Sequence, residues 1–377
     1  MCVDYRELNQ RTKEDAYPLP RIKDMLESFG RCRYFSTIDL ASGYWQVPMA
    51  KKDREKTAFI TRQGLFEFTV MPFGLTNAPA TFQRLMDRVL TETNDEFTAV
   101  YMDDIIVYSR TFEEHLQHLR KVFQLLADAK LKMGADKCSF CRMSIPFLGH
   151  IITPEGIKPN EGLINKVKNF PTPTNVQAIQ SFLGLSGYYR QFVQDYAKIA
   201  RPLIQLTKKN QAYVWNDECQ KAFEFLKKQL ISEPILQFPD FTQHFILYTD
   251  ASDFGLGAVL AQKPKIGRET VVGYASRTLN HAERNYHTTE KECLAVVWAT
   301  TYFHKFLYGQ RFTIVTDHQA LKILNTDKAT KGRIARWKVH LANYHYTVKH
   351  RKGTQHANAD ALSRLYPVKN KPRKTHN

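Results

Sequence analysis

Two adjacent carboxylates lie between two apolar runs in the first third of the chain. The acids of Tyr101-Met102-Asp103-Asp104 stand between the runs 98–102 and 105–108, a pattern that predicts a β-hairpin with the acids at its tip. Because like charges repel, a fold that presents two carboxylates together usually needs a cation, and Mg²⁺, which prefers oxygen ligands, is the first candidate. A polar Asp-Asp turn without metal is an equal alternative for this tetrapeptide alone.

Size and charge restrict what the chain can be. Its 377 residues exceed what one hydrophobic core accommodates and favour two or three domains. Lys and Arg number 54 against 37 Asp and Glu, and the net charge of +17 favours a polyanionic partner, nucleic acid before an anionic membrane surface. No apolar run approaches the roughly 18 residues that span a membrane, and no signal pattern begins the chain. The six scattered cysteines indicate a reducing compartment.

Periodicity along the chain predicts an α+β, multidomain fold. Short β-type runs and helices at 79–90 and 113–130 alternate in residues 1–155. Helical periodicity dominates 156–240, with helices at 161–170, 176–189 and 218–230. Prolines mark a boundary near 234–241, a second α/β domain occupies 241–366, and 367–377 is a basic tail.

A third acid, Asp39, ends the predicted strand 34–39. Two-metal phosphoryl transfer needs carboxylates from separate strands that converge on ions about 4 Å apart. Asp39 with Asp103 and Asp104 would supply such a set. A loop-start cap is the alternative role for Asp39.

The motifs around these acids resemble the reverse transcriptase and RNase H region of Ty3/gypsy-type long-terminal-repeat retrotransposon polyproteins. The resemblance rests on the order and spacing of Val3–Asn9 (VDYRELN), Phe35–Gln46 (FSTIDLASGYWQ), Met71–Pro79 (MPFGLTNAP), Tyr101–Asp104 (YMDD) and Phe147–His150 (FLGH). It implies a right-hand polymerase with a palm and N-terminally truncated fingers in 1–155, a helical thumb and connection in 156–240, and an RNase H-like domain in 241–366.

The same resemblance implies roles for individual residues. Asp39, Asp103 and Asp104 would be the catalytic metal ligands of the palm. Tyr44 would pack against the incoming sugar and exclude a 2′-hydroxyl. Substrate binding would involve Phe73 and Gly74 beside the nascent base pair, Lys137 as a proton donor to pyrophosphate, and Phe147 and Gly149 of the primer grip.

A second set of acids follows the same strand-then-acid pattern. Strands at 245–250 and 312–317 end in Asp250 and Asp317, a helix predicted at 288–308 carries Glu292, and Asp360 lies near the C-terminus. Four carboxylates of this kind would bind paired Mg²⁺, and they resemble the RNase H signature. Glu292 is preferred to Glu290 from the family motif, although Glu292 could instead close a capping box with Thr289.

His350 stands ten residues before Asp360, where some relatives hold a mobile histidine that assists product release or proton transfer. Phosphate binding among neighbouring basic residues is an equal alternative.

The expected function is RNA-directed DNA synthesis together with cleavage of RNA in RNA/DNA hybrids. The resemblance implies Mg²⁺, two ions per site with Mn²⁺ as a substitute, and RNA template, DNA primer, hybrid and dNTPs as partners. It also implies protease and integrase domains of the same polyprotein, and an intracellular location in a cytoplasmic particle, the nucleus or both. Relatives carry a fingers β-hairpin with Lys and Arg before Val3, so we expect weaker polymerase than RNase H activity; RNase H activity alone, or nucleic-acid binding without turnover, are the alternatives.

Overall fold

The computed structural model describes residues 3–30, 32–232, 235–263, 269–325 and 332–351. The chain divides into two compact units, Met1–Asn160 and Glu161–Asn377. Asp360 and the predicted basic tail lie outside the described residues.

The first unit combines helices and strands as the sequence predicts. Its helices are α1 (Arg6–Arg11), α2 (Ile22–Ser28), α3 (Lys51–Arg54), α4 (Ala78–Val89) and α5 (Phe112–Asp128). Its strands are β1 (Tyr34–Asp39), β2 (Phe59–Thr61), β3 (Gly64–Phe66), β4 (Thr98–Tyr101), β5 (Asp104–Ser109), β6 (Ser139–Arg142), β7 (Ile145–Phe147), β8 (His150–Thr153) and β9 (Gly156–Pro159).

A four-stranded sheet in the order β4-β5-β1-β6 is the platform of this unit. One face of the sheet packs against α4 and α5 in an apolar cluster that includes Ile38, Ile105, Phe82, Met86 and Val122. Helix α5 begins with a capping box in which Thr111 and Glu114 bond each other's backbone N–H groups. The strand ends that carry the predicted palm acids therefore belong to a packed sheet. Separate small sheets are β2-β3 and β7-β8-β9.

The second unit begins with helices and continues into a mixed sheet. Its helices are α6 (Glu161–Lys168), α7 (Val176–Tyr188), α8 (Tyr196–Ile199), α9 (Arg201–Leu206), α10 (Asp217–Ile231), α11 (His281–Arg284), α12 (Thr288–Tyr302), α13 (His304–Leu307) and α14 (Gly332–Leu341). Its strands are β10 (Phe245–Ala251), β11 (Gly255–Gln262), β12 (Thr270–Thr278), β13 (Arg311–Thr316) and β14 (His345–His350).

The five strands lie in the order β12-β11-β10-β13-β14. Strand β10 pairs antiparallel with β11 and parallel with β13, so the sheet changes direction at β10. Helix α12 covers one face through Cys293, Val296 and Ala299, which pack against Leu247 and Leu260 of the strands. This packing fixes the first turns of α12 beside the C-terminal end of β10.

Most predicted helix bounds agree with the structure. The helices at 79–90, 113–130, 161–170, 176–189 and 218–230 match α4, α5, α6, α7 and α10 to within two residues at each end. The single helix predicted at 288–308 is wrong beyond Tyr302. Phe303 leaves helical geometry, with φ −98° and ψ 20°, and α13 follows as a separate turn. The break lets Phe303, Phe306 and Leu307 all enter the core. Within the described residues, no helix has the length and apolar character needed to cross a membrane.

Candidate active sites

The ends of β1 and β5 bring two palm carboxylates together. The antiparallel register of these strands sets Asp39 directly opposite Asp104, and opposite residues of such a pair project to the same face. Asp103 lies in the turn between β4 and β5, as the sequence predicts. Partial desolvation raises the pKa of the Asp104 carboxyl, and the charges of Asp103 and Asp39 raise it further. The three acids thus share one electrostatic environment.

These three carboxylates are near one another without forming a closed ligand set. Among the described His, Cys, Asp and Glu side chains, the group of three whose ligand atoms all lie within 4.8 Å of one another is found in the second unit, not here. Lys137 lies beside the palm acids, with its Nζ 3.7 Å from Asp39 Oδ1 and its side chain 65% exposed. An exposed pair of this kind contributes little stability, under about 1 kcal/mol.

Gln83 is a residue of this site that the sequence analysis missed. Its buried side-chain amide accepts a hydrogen bond from the Met102 N–H (2.7 Å) and donates one to the Val100 carbonyl (3.2 Å). Met102 has φ 55°, a left-handed conformation that is costly for a side chain with a Cβ. Gln83 therefore holds the strained turn that carries Asp103. Its signal in the sequence is a polar residue three positions before Met86, on the apolar face of α4.

Tyr44 follows β1 in a short 3-10 helix, Gly43–Gln46. Its ring lies 5.3 Å from Phe73 and 5.4 Å from Phe82, centroid to centroid, and its hydroxyl is 3.8 Å from Met102 Sδ. Burial raises the pKa of Tyr44, and the Asp103 charge adds to the effect. Phe73 is 52% exposed, so the Tyr44 and Phe73 rings together form a partly exposed aromatic surface beside the acids.

The remaining predicted contacts differ in exposure. Gly74 adopts φ +96°, and its carbonyl accepts a hydrogen bond from Asn9 Nδ2 at 2.8 Å. Phe147 is buried against Phe29, with ring centroids 5.8 Å apart. Gly149 (φ 74°) follows in the turn that leads to β8. The Phe147 ring thus packs inside the fold and is not presented at the surface of this turn.

The second unit contains a closed carboxylate set. Asp250 is the penultimate residue of β10, Glu292 lies in the second turn of α12, and Asp317 follows β13; their ligand atoms all lie within 4.8 Å of one another. Glu292 is 4% exposed, and its Oε2 has no hydrogen-bond partner. Burial and the charges of Asp250 and Asp317 raise the pKa of Glu292 to about 8. A buried, unpartnered carboxylate oxygen between two further acids fits an oxygen-seeking divalent cation.

The two candidate helix acids have different environments. Glu290, not Glu292, closes the capping box: its Oε2 accepts the His287 N–H at 3.2 Å, and its Oε1 accepts from Arg333 at 3.1 Å. The alternative in which Glu292 merely caps the helix is therefore wrong. The side chain of Glu292 faces Asp250 and Asp317 instead.

His350 lies next to this set through the backbone. Its Nε2 is 2.9 Å from the carbonyl oxygen of Asp317, which accepts the hydrogen bond. The contact places His350 beside the Asp317 peptide, at the exposed end of β14. Asp360, the fourth predicted acid, lies outside the described residues.

Two protein families match the chain. Residues 1–152 match the family described as reverse transcriptase (RNA-dependent DNA polymerase), and residues 240–344 match the RNase H-like domain found in reverse transcriptase. These matches agree with the α+β fold and the resemblance predicted from the motifs.

Individual relatives and a solved structure agree with this assignment. The retrovirus-related Pol polyprotein from transposon 297 of Drosophila melanogaster is 46% identical over 366 residues, 97% of this chain and 34% of the relative. The corresponding polyprotein from transposon gypsy of the same organism is 39% identical over 387 residues, 99% of this chain and 37% of the relative. The chain thus spans about a third of the length of these relatives.

Among solved structures, the foamy viral protease-reverse transcriptase in complex with RNA/DNA hybrid is 25% identical, with a TM-score of 0.73, and the match covers 99% of this chain and 51% of that one. The chain therefore belongs to the gypsy-type retrotransposon Pol family, and it combines a reverse transcriptase domain with an RNase H-like domain.

Proposed function

We propose that this chain cleaves the RNA strand of RNA/DNA hybrids at Asp250, Glu292 and Asp317, and that it synthesises DNA by reverse transcription at Asp39, Asp103 and Asp104. The observation that carries the first activity is the closed carboxylate set with an unpartnered, buried Glu292 oxygen. The second activity rests on the cross-strand pairing of Asp39 with Asp104 and on the family motifs.

Mg²⁺ is the metal we propose for both sites, with Mn²⁺ as a substitute. Bound there, the metal would activate the attacking oxygen and neutralise charge on the leaving one. Glu292 supports this assignment, because its buried Oε2 has no hydrogen-bond partner, and burial with the charges of Asp250 and Asp317 raises its pKa, so a cation would offset the repulsion among the three acids. Metal binding would therefore displace a proton, because a carboxylate ligand must be ionised.

A nucleic-acid duplex is the proposed partner. The net charge of +17 favours polyanions, and the foamy viral relative was solved with an RNA/DNA hybrid. On the polymerase side, Tyr44 would exclude a 2′-hydroxyl of the incoming dNTP, and half-exposed Phe73 would contact the nascent base pair. Several roles stay predictions from the resemblance: those of Asp360 and His350 at the RNase H centre, and those of Gly74, Lys137, Phe147 and Gly149 in the polymerase. The protease and integrase partners and the cellular compartment also stay predictions.

Asp250→Asn tests the hydrolytic activity. The variant keeps the size of the side chain and removes its charge, so Mg²⁺-dependent cleavage of a labelled RNA strand in a hybrid should fall to background. Asp217→Asn, at an exposed acid in the first turn of α10, is the matched control and should cleave normally. Cleavage by Asp250→Asn at the control rate would refute the assignment.

Asp103→Asn tests the polymerase in the same protein. Primer extension on an RNA template should be lost while hybrid cleavage persists, because the two carboxylate sets belong to different units. RNase H activity alone is the second candidate function, favoured by the closed ligand set in the second unit and the open one in the first. Cleavage without any extension by the unmodified chain would select this candidate.

A further inference from the structure

Residues 195–201 of the helical region lie against the RNase H-like sheet. The Ala197 N–H donates a hydrogen bond to Ser276 Oγ of β12 at 2.9 Å. The Arg201 guanidinium lies 3.5 Å from the centroid of the Phe254 ring, in the turn between β10 and β11. On its other side, this segment is tied to α7 by the hydroxyls of Tyr196 and Ser186, 2.9 Å apart. The segment, here called the bridging segment, thus connects α7 to the sheet.

Asp195 begins the bridging segment and lies directly on a glycine of β11. A Cβ built on Gly257 would stand 2.2 Å from Asp195 Oδ1, far inside contact distance. The glycine is therefore required for this approach. Asp195 has φ 53°, a left-handed conformation that aspartate tolerates better than most residues.

Gly257 is the direct neighbour of the metal-ligand candidate Asp250. The strand registers pair Asp250 with Gly257 and Gly257 with Ser276, so the three residues form one row across β10, β11 and β12. Side chains of such a row project to one face of the sheet. The bridging segment therefore contacts two members of the row that ends at Asp250. Consistent with this proximity, burial and the Asp250 charge raise the pKa of Asp195 to about 6.

The turn that follows Asp250 is held from two sides. Lys291 of α12, a buried cation, donates from Nζ to Asp253 Oδ1 at 2.8 Å. Arg201 covers the next residue, Phe254, from the bridging segment. Lys291 belongs to the RNase H-like region matched by its family, whereas Arg201 and Asp195 precede that region, which begins at residue 240.

We propose that Asp195 is a positioning residue of the RNase H centre, which sets the end of β10, and with it Asp250, by seating the bridging segment on Gly257. The residues that support the RNase H centre then include the bridging segment, which precedes the RNase H-like domain in the sequence. This inference rests on the proposed hydrolytic function of Asp250. It assigns no metal contact to Asp195, which acts through strand β11.

A double-mutant cycle in the full chain tests the proposal. Asp195→Gly removes the carboxylate and keeps a residue that accepts the left-handed backbone. Gly257→Ala adds a methyl group where Asp195 Oδ1 lies. Each single variant should lower kcat for hybrid cleavage about tenfold with little change in KM, as expected when a group that orients a ligand is lost. The double variant should lose no more than either single one, since the methyl then occupies vacated space.

The unfolding midpoints of the same four proteins, measured without divalent metal, should also be non-additive. Because this measurement involves no catalysis, it reports on the docking of the bridging segment alone. The proposal would be overturned if the fold-reduction in kcat of the double variant equalled the product of the two single reductions. A normal kcat in Asp195→Gly would overturn it as well. Asp195→Asn, which keeps shape and tolerates the backbone, should retain most of the kcat; a loss as large as in Asp195→Gly would also overturn the positioning role.

If Gly257→Ala does not fold, Ser276→Ala replaces it, with faster hydrogen exchange at the Ala197 amide as the readout. Unchanged exchange would contradict the docking. Asp217→Asn remains the control. Failure of the proposed function is recognised separately, because Asp250→Asn would then still cleave.

Discussion

Replacing Glu292 by Gln should stabilise the metal-free protein, and the gain should grow with pH. The pKa of Glu292 rises from its ordinary 4.5 to about 8 in the fold. Between these values the unfolded chain releases a proton that the folded protein keeps, so stability falls as pH rises, and the penalty is complete above pH 8. At about 1.4 kcal/mol per pKa unit, it amounts to about 5 kcal/mol above pH 8 and about 3 kcal/mol at pH 7.

Denaturant unfolding in EDTA between pH 5 and 9 measures this effect. Three of the four tryptophans, Trp215, Trp298 and Trp337, belong to the second unit, so fluorescence reports mainly on its unfolding. The free energy of unfolding of Glu292→Gln should exceed that of the unmodified protein by less than about 1 kcal/mol at pH 5 and by several kcal/mol at pH 9. Mg²⁺ should reduce this difference in stability, because it binds and stabilises the unmodified protein, which keeps the Glu292 carboxylate.

Glu290→Gln is the matched control, two residues away on the same helix. Burial opposes ionisation of Glu290, but the His287 N–H and Arg333 more than offset it and lower its pKa. Its removal should therefore destabilise the protein above pH 4.5, with the opposite sign to Glu292→Gln. Parallel stability curves for Glu292→Gln and the unmodified protein from pH 5 to 9 would refute the argument.

Two further predictions concern the first unit. Gln83→Leu removes the side-chain hydrogen bonds to the Met102 N–H and the Val100 carbonyl. The variant should slow primer extension about 10- to 100-fold and leave hybrid cleavage unchanged. Gln124→Ala, at an exposed amide of α5, is the control. Buried His115 lies between the hydroxyls of Ser36 (2.7 Å) and Ser109 (2.8 Å), and burial, aided by the His118 charge, lowers its pKa to about 4. The neutral form is thus required in the fold, so acid should remove about 3 kcal/mol of stability between pH 6.5 and 4. Unfolding of His115→Gln should lack this component, and an unchanged acid slope would contradict the assignment.

Local patterns in the sequence were sufficient for the strands that bear the acids. Strand β1 and the hairpin around Met102 follow from short strand-forming runs that end in acids, which are local signals. The helix break at Phe303 was missed because it depends on how three apolar side chains share the core, which periodicity does not encode. The choice between Glu290 and Glu292 became clear only when Arg333 and Asp250, distant in sequence, were in place.

The supporting residues were the least predictable part of both sites. Gln83 contacts Met102 across 19 positions, and Lys291 contacts Asp253 across 38. Asp195 approaches Gly257 from a helical region with no metal-site motif of its own. Such residues act by tertiary contact, so the sequence records only a polar side chain at an otherwise apolar or ordinary position.

Most of the acids at the two sites lie at or next to the ends of strands that have neighbours on both sides. Asp39 and Asp104 belong to β1 and β5, the two inner strands of their sheet, and Asp250 belongs to the central β10. Fraying begins at edge strands such as β4, β6, β12 and β14, each of which pairs with one neighbouring strand among the described residues. Partial opening of either sheet therefore leaves these acids on strands that are still paired. The amides of β1, β5 and β10 should exchange only in the slowest, near-global openings, so loss of a site coincides with loss of its fold.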